Sequence, residues 1–228
     1  MILFVFVVFA IKSEILFKFN LLALNLICSI DSSPEIYATS KFCLDKYFKK
    51  KVLKIIELGS GNGRDAVYFA KQKLNVVAID QSTSGVDIEK KNLLDEDNNY
   101  LHLLAKDFVY EDYSKYGSID AFYSRFTLHS ITKIDEETLL PNIYNNLNPR
   151  GLFCIEVRTT KDPLFGKGEL CEENTFINNN HKRRFIDTDK FRKKVADIGF
   201  RELYFVEKNN LSIYKNDNPV LMRLILEK

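Results

Sequence analysis

An apolar, strand-like run at residues 52–58 ends in three glycines at alternate positions, Gly59, Gly61 and Gly63. Glycine has no Cβ, so such a loop can turn sharply and bring its backbone close to a ligand. More short apolar runs of the kind found in buried strands alternate with helical patterns. These runs cover residues 75–80, 100–104, 119–124, 152–157, 202–206 and 220–226. The alternation predicts an α/β fold, a mostly parallel sheet with helices on both faces.

Helical patterns occupy the segments between the predicted strands. They cover residues 35–48, 65–72, 83–94, 135–146 and 187–199. Asp135 and Asp187 are expected to cap the last two helices. No repeat or linker-like composition divides the chain after residue 31, and 46% of its 228 residues are hydrophobic. Residues 32–228 are therefore predicted to form a single domain around one core.

The amino terminus is unusually apolar. Residues 1–11 and 19–30 are uncharged, with Lys12, Glu14 and Lys18 between them. Neither run reaches the roughly 18 to 20 apolar residues that span a bilayer, and a secretory signal would begin with a positive region. Residues 1–31 are thus interpreted as an apolar extension: a buried helix, an interfacial anchor, or the result of a start codon placed too far upstream. We expect a cytoplasmic protein, with membrane contact only if the extension is an anchor.

Charge and cysteine content exclude two further classes. Lys and Arg number 33 against 31 Asp and Glu, so the net charge of +2 gives no electrostatic case for nucleic acid. The four cysteines have no CxxC spacing, which disfavours a zinc site, and we expect no metal and reduced thiols.

Two carboxylates follow predicted strands at the edge where α/β sheets bind ligands. Asp80 ends the second strand, 17 residues after Gly63, and can accept hydrogen bonds from both hydroxyls of a ribose. Asp107 follows the third strand, where an adenine amino group would lie. Gly61-x-Gly63-x-x-Ala66 also fits the dinucleotide fingerprint of NAD sites. Acidic residues beside the glycine loop would repel a pyrophosphate, which argues against NAD.

The pattern Glu-x-Gly-x-Gly-x-Gly, with acids after the second and third strands, resembles the class I S-adenosylmethionine-dependent methyltransferases. The resemblance covers about residues 50–228 and includes the turn LNPRGL at 147–152, in which Arg150 stands where the family often has glycine. It implies a seven-stranded Rossmann-like sheet with an antiparallel last strand, and S-adenosylmethionine as cofactor. The cofactor-binding residues that it implies are Glu57, Gly59, Ser60, Gly61, Asn62, Gly63, Asp80, Gln81, Asp107, Phe108 and Ser124.

Basic residues follow the fourth and fifth strands and recur in residues 159–186, which have little periodicity. A stretch of this length is expected to be a lid or binding loop. Arginine binds phosphate-like oxygens bidentately, so the set favours a small anionic acceptor. The candidate substrate-binding residues are Arg125, Arg158, Lys161, Lys167, His181, Arg183 and Arg184.

Residues 124–187 resemble a subgroup of bacterial methyltransferases found among surface-polysaccharide genes, including those proposed to form the O-methyl phosphoramidate decoration of capsules. This resemblance implies a role in polysaccharide biosynthesis and places Arg125, His129 and His181 at the reaction centre. An anionic oxygen needs no base, whereas a sugar hydroxyl would need one of the two histidines. The alternatives are methylation of a small thiol or an inorganic anion, or a non-catalytic cofactor- or NAD-binding protein.

Overall fold

A seven-stranded sheet forms the centre of the computed structural model, which describes residues 38–48, 54–83 and 99–228. These residues belong to one compact unit, Tyr37–Lys228. The strands of this sheet are β1 (Lys54–Leu58), β2 (Asn75–Asp80), β3 (Leu101–Ala105), β4 (Ile119–Arg125), β5 (Leu147–Arg158), β9 (Arg201–Lys208) and β10 (Leu221–Glu227). Their order is β3-β2-β1-β4-β5-β10-β9.

Strands β1 to β5 are parallel, and β10 lies antiparallel between β5 and β9. The predicted α/β fold with an antiparallel last strand is confirmed. Strands β1, β2 and β4 are buried along most of their length, so their sequences are continuous apolar runs. At the start of β5, Arg150 has a left-handed φ of +64°. This conformation explains why a glycine would suit that position.

Helices cover both faces of the sheet. They are α1 (Ala38–Cys43, continued by a π-helical turn, Leu44–Phe48), α2 (Arg64–Lys71), α3 (Lys133–Asn146) and α4 (Thr188–Ile198). Helix α3 starts earlier than predicted, because Thr132 is its N-cap and Asp135 is the third helical residue, which completes a capping box with Thr132. Helix α4 has the predicted cap, Asp187, and ends at Gly199, whose φ is +118°.

Two apolar clusters join the helices to the sheet. On one face, side chains of α3 and α4 pack against strand residues such as Phe122 and Phe153. On the other face, α1 and α2 pack Phe48 and Phe69 against Tyr123. Each fully buried aromatic or aliphatic side chain contributes about 1.5–3 kcal/mol. The sheet is therefore held rigidly between two helical layers, and its strand ends form a fixed platform.

The predicted binding loop at 159–186 is largely a small antiparallel sheet. Its strands are β6 (Glu169–Glu172), β7 (Thr175–Asn178) and β8 (His181–Arg184). The rings of Phe165, Phe176 and Phe185 pack beneath it, with centroids 5.3–6.2 Å apart. The backbone N–H of Arg184 donates to the carbonyl of His129 at 2.9 Å. This bond ties the small sheet to the segment that follows β4.

Some expectations fall outside the described residues. They include the apolar extension 1–31, the start of the first predicted helix, residues 52 and 53, most of helix 83–94, and Cys28. Cys43, Cys154 and Cys171 are free thiols. Within the ranges that the structure describes, no helix is long and apolar enough to cross a membrane.

Candidate cofactor and acceptor site

The glycine loop after β1 depends on backbone conformations that other residues rarely adopt. Gly59, Gly61 and Gly63 have φ values of +65°, +61° and +74°. The N–H of Gly59 donates to the carbonyl of Ile79 at 2.7 Å, which holds the loop against the end of β2. A Cβ on Gly59 would lie 2.6 Å from Cγ2 of Thr127. The loop therefore packs tightly against the segment after β4 only because residue 59 is glycine.

Asp80 holds the same loop from the end of β2. Its Oδ2 accepts a hydrogen bond from the N–H of Gly61 and its Oδ1 accepts one from the N–H of Ser82, each at 2.7 Å. A carboxylate has about four acceptor positions, so two such bonds leave room for hydroxyl donors. Asp80 can thus fix the glycine loop and still bind a ribose.

A cavity of about 430 Å³ lies beside the carboxyl ends of β1, β2 and β4. Its size is within the range of about 300–1,000 Å³ that is typical of small-molecule sites. Its lining is formed by Gly59, Asp80, Gln81, Asp107, Phe108, Val109, Phe126, Thr127, Ser130, Ile131 and Asp135. Five of the predicted cofactor residues are therefore brought together in the lining of one cavity. The remaining six lie in β1, the glycine loop or β4 outside that lining; they are Glu57, Ser60, Gly61, Asn62, Gly63 and Ser124.

The wall after β3 is partly apolar. Asp107 turns the chain there, since its Oδ1 accepts from the N–H of Val109 at 2.8 Å, and Phe108 and Val109 are buried. A flat apolar ring system fits such a wall. The cavity therefore combines a backbone cradle, a carboxylate with spare acceptor positions and an apolar wall. This set of groups fits an adenosyl ligand.

Sequence reasoning missed the lining residues that follow β4. Phe126, Thr127, Ser130 and Ile131 lie directly beyond the carboxyl end of this strand, and β4 is the neighbour of β1. Phe126 has a left-handed φ of +56°, and its N–H donates to the carbonyl of Glu156 at 2.8 Å. Strain of this kind costs about 1–3 kcal/mol and is found at ligand sites. The carboxyl-end rule pointed to Ser124, Arg125 and His129 at this strand end, whereas the uncharged lining residues carry no comparable signal in the sequence.

Arg125 lies inside the protein and its charge is compensated there. Its Nη1 donates to Asp65 at 3.2 Å and its Nε donates to Glu156 at 3.4 Å. Burial lowers the pKa of Arg125, but the carboxylates of Asp65 and Glu156 outweigh that effect and raise it above the usual value. Arg125 thus forms part of a buried ion network that links α2, β4 and β5. Its predicted contact with substrate remains a prediction.

Three more of the predicted substrate residues have acidic partners. Arg158 donates to Asp162 at 2.9 Å and also pairs with Asp217. Arg184 is bonded to Glu136 at 2.6 Å, and Lys161 to Glu207 at 2.5 Å. The side chains of Lys161, Lys167 and His181 are exposed.

His129 lies beside the arginines of β5 and β8. Burial and the nearby charges of Arg183, Arg158 and Arg184 lower the pKa of His129 to about 3. Its Nδ1 is buried and has no hydrogen-bond partner among the described residues. The ring of Phe126, a lining residue, lies 6.1 Å from the imidazole, centroid to centroid. His129 is therefore a neutral side chain that links the arginines to the cavity wall.

Arg183 differs from the other arginines of this group. Within the described ranges its half-buried guanidinium has no hydrogen bond or ion pair at contact distance. Burial and Arg158 lower the pKa of Arg183, against weaker opposing effects of Asp217 and Asp162. We call Arg183, Arg158 and His129 the basic cluster. It offers one cation that is not directly neutralised, next to the segment that lines the cavity.

Comparison with known proteins finds a similar family for part of the chain. A family described as a methyltransferase domain matches residues 55–151. An uncharacterized methyltransferase of Synechocystis sp. is 26% identical over 102 residues, which are 45% of this chain and 45% of that protein. The chain thus aligns with less than half the length of this curated relative.

Solved structures share the fold over most of the chain. A methyltransferase dependent on S-adenosylmethionine from Clostridium acetobutylicum is 13% identical, with a TM-score of 0.66 over 92% of this chain and 97% of that one. The glycopeptide N-methyltransferase MtfA, complexed with S-adenosylmethionine, is 16% identical, with a TM-score of 0.64 over 85% and 95%. The chain therefore has the Rossmann-like methyltransferase fold. Together with the match of residues 55–151 to a methyltransferase domain, this fold agrees with the predicted class I S-adenosylmethionine-dependent methyltransferases.

Proposed function

We propose that the protein transfers a methyl group from S-adenosylmethionine to an oxygen of a small anionic acceptor. The acceptor class is a phosphate, a phosphoramidate or a phosphorylated sugar precursor. One observation carries the proposal: the guanidinium of Arg183 has no direct acidic partner in the described chain and lies near neutral His129. The imidazole of His129 in turn lies 6.1 Å from the ring of Phe126, which lines the cofactor-sized cavity.

The cavity supports the cofactor part of the proposal. Asp80 would accept hydrogen bonds from the ribose hydroxyls, and Phe108 and Val109 would pack against the adenine. When bound, S-adenosylmethionine supplies a methyl group on a sulfonium, which is a good leaving group. The chain's own contribution is then to bind, orient and exclude water, and holding reacting atoms about 3 Å apart lowers a barrier by several kcal/mol.

The basic cluster supports the anionic acceptor. A bound anion stabilises the charge of a half-buried guanidinium. Charge-assisted hydrogen bonds to phosphate oxygens are also about twice as strong as neutral ones. A general base works best with a pKa near the operating pH. With a pKa of about 3, His129 is poorly suited to take a proton from a hydroxyl. An acceptor oxygen that is already anionic removes the need for that proton transfer.

The biological setting is supported by the resemblance of residues 124–187 to methyltransferases found among surface-polysaccharide genes. We therefore propose a precursor of a surface polysaccharide as the acceptor, with a phosphate or phosphoramidate group bound by the basic cluster. A small thiol, an inorganic anion, and a cofactor- or NAD-binding role without catalysis are the alternatives.

Calorimetry on the full chain tests the cofactor, and an acceptor panel tests the chemistry. Micromolar binding of S-adenosylhomocysteine without binding of NAD is the expected result. Radiolabelled S-adenosylmethionine would then be offered with sugar phosphates, nucleotide-linked precursors, thiols, and inorganic phosphate or sulfate. Labelling of phosphorylated acceptors alone supports the proposal. Binding of NAD alone would overturn it, and labelling of a thiol would assign the alternative acceptor.

A further inference from the structure

The two carboxylates that bind Arg158 differ sharply in exposure. The side chain of Asp162 is fully buried and also accepts hydrogen bonds from the backbone N–H groups of Leu164 and Val220, at 2.8 and 3.1 Å. The side chain of Asp217 is 51% exposed, and its only side-chain hydrogen bond among the described residues is to Arg158. Asp162 is therefore a fixed partner of Arg158. The carboxylate of Asp217 is already partly hydrated, so replacing its bond to Arg158 by hydrogen bonds to water costs little free energy.

The loop that carries Asp217 does not depend on this ion pair. The backbone N–H of Tyr214 donates to the carbonyl of Asp217 at 3.0 Å, and the reverse bond is 2.9 Å long. These bonds involve no side-chain atoms. The carboxylate of Asp217 can thus leave Arg158 while the turn at Tyr214 stays folded.

Charge counting shows why this carboxylate matters. Two cations, Arg158 and Arg183, lie with two anions, Asp162 and Asp217, and His129 is neutral. The group as it stands has no net charge. An incoming anion meets a net positive site only after one carboxylate has withdrawn, and only Asp217 is free to do so.

We propose that Asp217 is a specificity-determining residue that occupies Arg158 until the anionic group of the acceptor displaces it. The inference rests on the proposed function and adds that Asp217 and the anionic group of the acceptor compete for Arg158. When Asp217 withdraws, its bond to Arg158 and its attraction to Arg183 are lost. An acceptor with two or more anionic oxygens can replace both interactions. A neutral hydroxyl cannot, so Asp217 favours phosphate-like acceptors over neutral ones.

Calorimetry with inorganic phosphate as the probe tests this on the full chain, at pH 7.5 and low ionic strength. The variants are Asp217→Asn and Asp217→Ala, which remove the competing charge, and Arg183→Gln, which removes the cation without an acidic partner. Asp197→Asn is the matched control, because this exposed aspartate pairs with Lys193 on α4, its sole ion-pair partner in the part of the chain that the structure describes. Loss of the competing carboxylate is expected to tighten phosphate binding about two- to fivefold. Arg183→Gln is expected to weaken it about tenfold or more.

The outcomes separate the two proposals. Tighter binding by both Asp217 variants, with Asp197→Asn unchanged, supports displacement. Unchanged affinity in both Asp217 variants, with weaker binding by Arg183→Gln, overturns the role of Asp217 and leaves the proposed acceptor class intact. No phosphate binding by any form that still binds S-adenosylhomocysteine overturns the anionic acceptor and this inference with it. Thermal unfolding of each variant verifies that it is folded.

Discussion

Thr127 fills the space beside Gly59 that any side chain at residue 59 would need. A Cβ there would lie 2.6 Å from Cγ2 and 3.0 Å from Oγ1 of Thr127. The hydroxyl of Thr127 in turn donates to the carbonyl of Leu58 at 2.6 Å. The end of β1 and the segment after β4 are thus locked together at the wall of the cavity.

Gly59→Ala should therefore destabilise the fold and weaken cofactor binding together. Both Gly59 and Gly61 have a left-handed φ, which costs another residue about 1–2 kcal/mol, but no atom lies within 4 Å of a Cβ on Gly61. Gly59→Ala adds the clash with Thr127 to that cost. The expected result is a larger loss in the free energy of urea unfolding for Gly59→Ala than for the matched Gly61→Ala. Equal losses would contradict the contact.

Asp80→Ala and Arg183→Ala should separate cofactor binding from turnover. Removing the Asp80 carboxylate deprives the N–H of Gly61 and the expected ribose of their acceptor, so binding of S-adenosylhomocysteine should weaken about tenfold or more. Among the described residues, no hydrogen bond or ion pair joins Arg183 to the glycine loop, so its variant should bind S-adenosylhomocysteine normally and lose activity on the acceptor. Calorimetry and a methyl-transfer assay measure the two effects. A similar loss of cofactor affinity in both variants would refute this division of roles.

Glu156→Gln should be among the most destabilising conservative changes in the protein. Glu156 is fully buried and accepts hydrogen bonds from Arg223 at 2.6 and 2.8 Å and from Ser212 at 2.6 Å, besides its bond to Arg125. Glu156→Gln removes a negative charge that the buried guanidinium groups of Arg125 and Arg223 share. Leaving buried charges without their partner lowers the free energy of unfolding by about 3–5 kcal/mol.

The matched control for Glu156 is Glu202→Gln, which removes a carboxylate that pairs with Arg192 at the surface, at 2.8 Å. Surface pairs contribute about 1 kcal/mol or less. Urea unfolding of both variants measures the difference. A loss of the same small size in Glu156→Gln would show that the buried network contributes no more than a surface pair.

The central sheet could be predicted from the sequence because burial on both faces makes parallel strands continuously apolar. Strand β2 begins and ends at the predicted residues. The small sheet in 159–186 could not be predicted in this way. Strand β6 is exposed along its whole length, and β8 carries four consecutive basic residues, so neither has the alternation of a half-buried strand. The apolar side chains that support the small sheet are Phe165, Phe176 and Phe185, which are far apart in the sequence.

The cofactor side of the site was more predictable than the acceptor side for a related reason. Gly59 and Asp80 act through local backbone geometry at strand ends, which sequence spacing reveals. The surroundings of an arginine depend instead on residues far away along the chain. Asp65 lies 60 residues from Arg125, and Asp217 lies 59 residues from Arg158. Sequence therefore indicated a set of basic residues but gave no sign of which charges were neutralised.

His129 should make the stability of the protein depend on pH in a defined direction. Its folded pKa is about 3, below the value of 6.5 expected in the unfolded chain. Between these values the unfolded chain binds a proton that the folded protein does not. The free energy of unfolding should therefore fall as the pH decreases from 6.5 towards 3, by up to about 1.4 kcal/mol per pH unit from this residue.

Urea unfolding of the wild type and of His129→Gln between pH 7 and pH 5 measures this contribution, since most carboxylates remain ionised in that range. The wild type should lose more stability than the variant over these two units. A matched variant at the exposed His181 should keep the wild-type slope. Parallel curves for the wild type and His129→Gln would show that folding does not lower the pKa of the imidazole. Because Arg183, Arg158 and Arg184 oppose protonation of His129, such a result would also remove the electrostatic basis of the basic cluster.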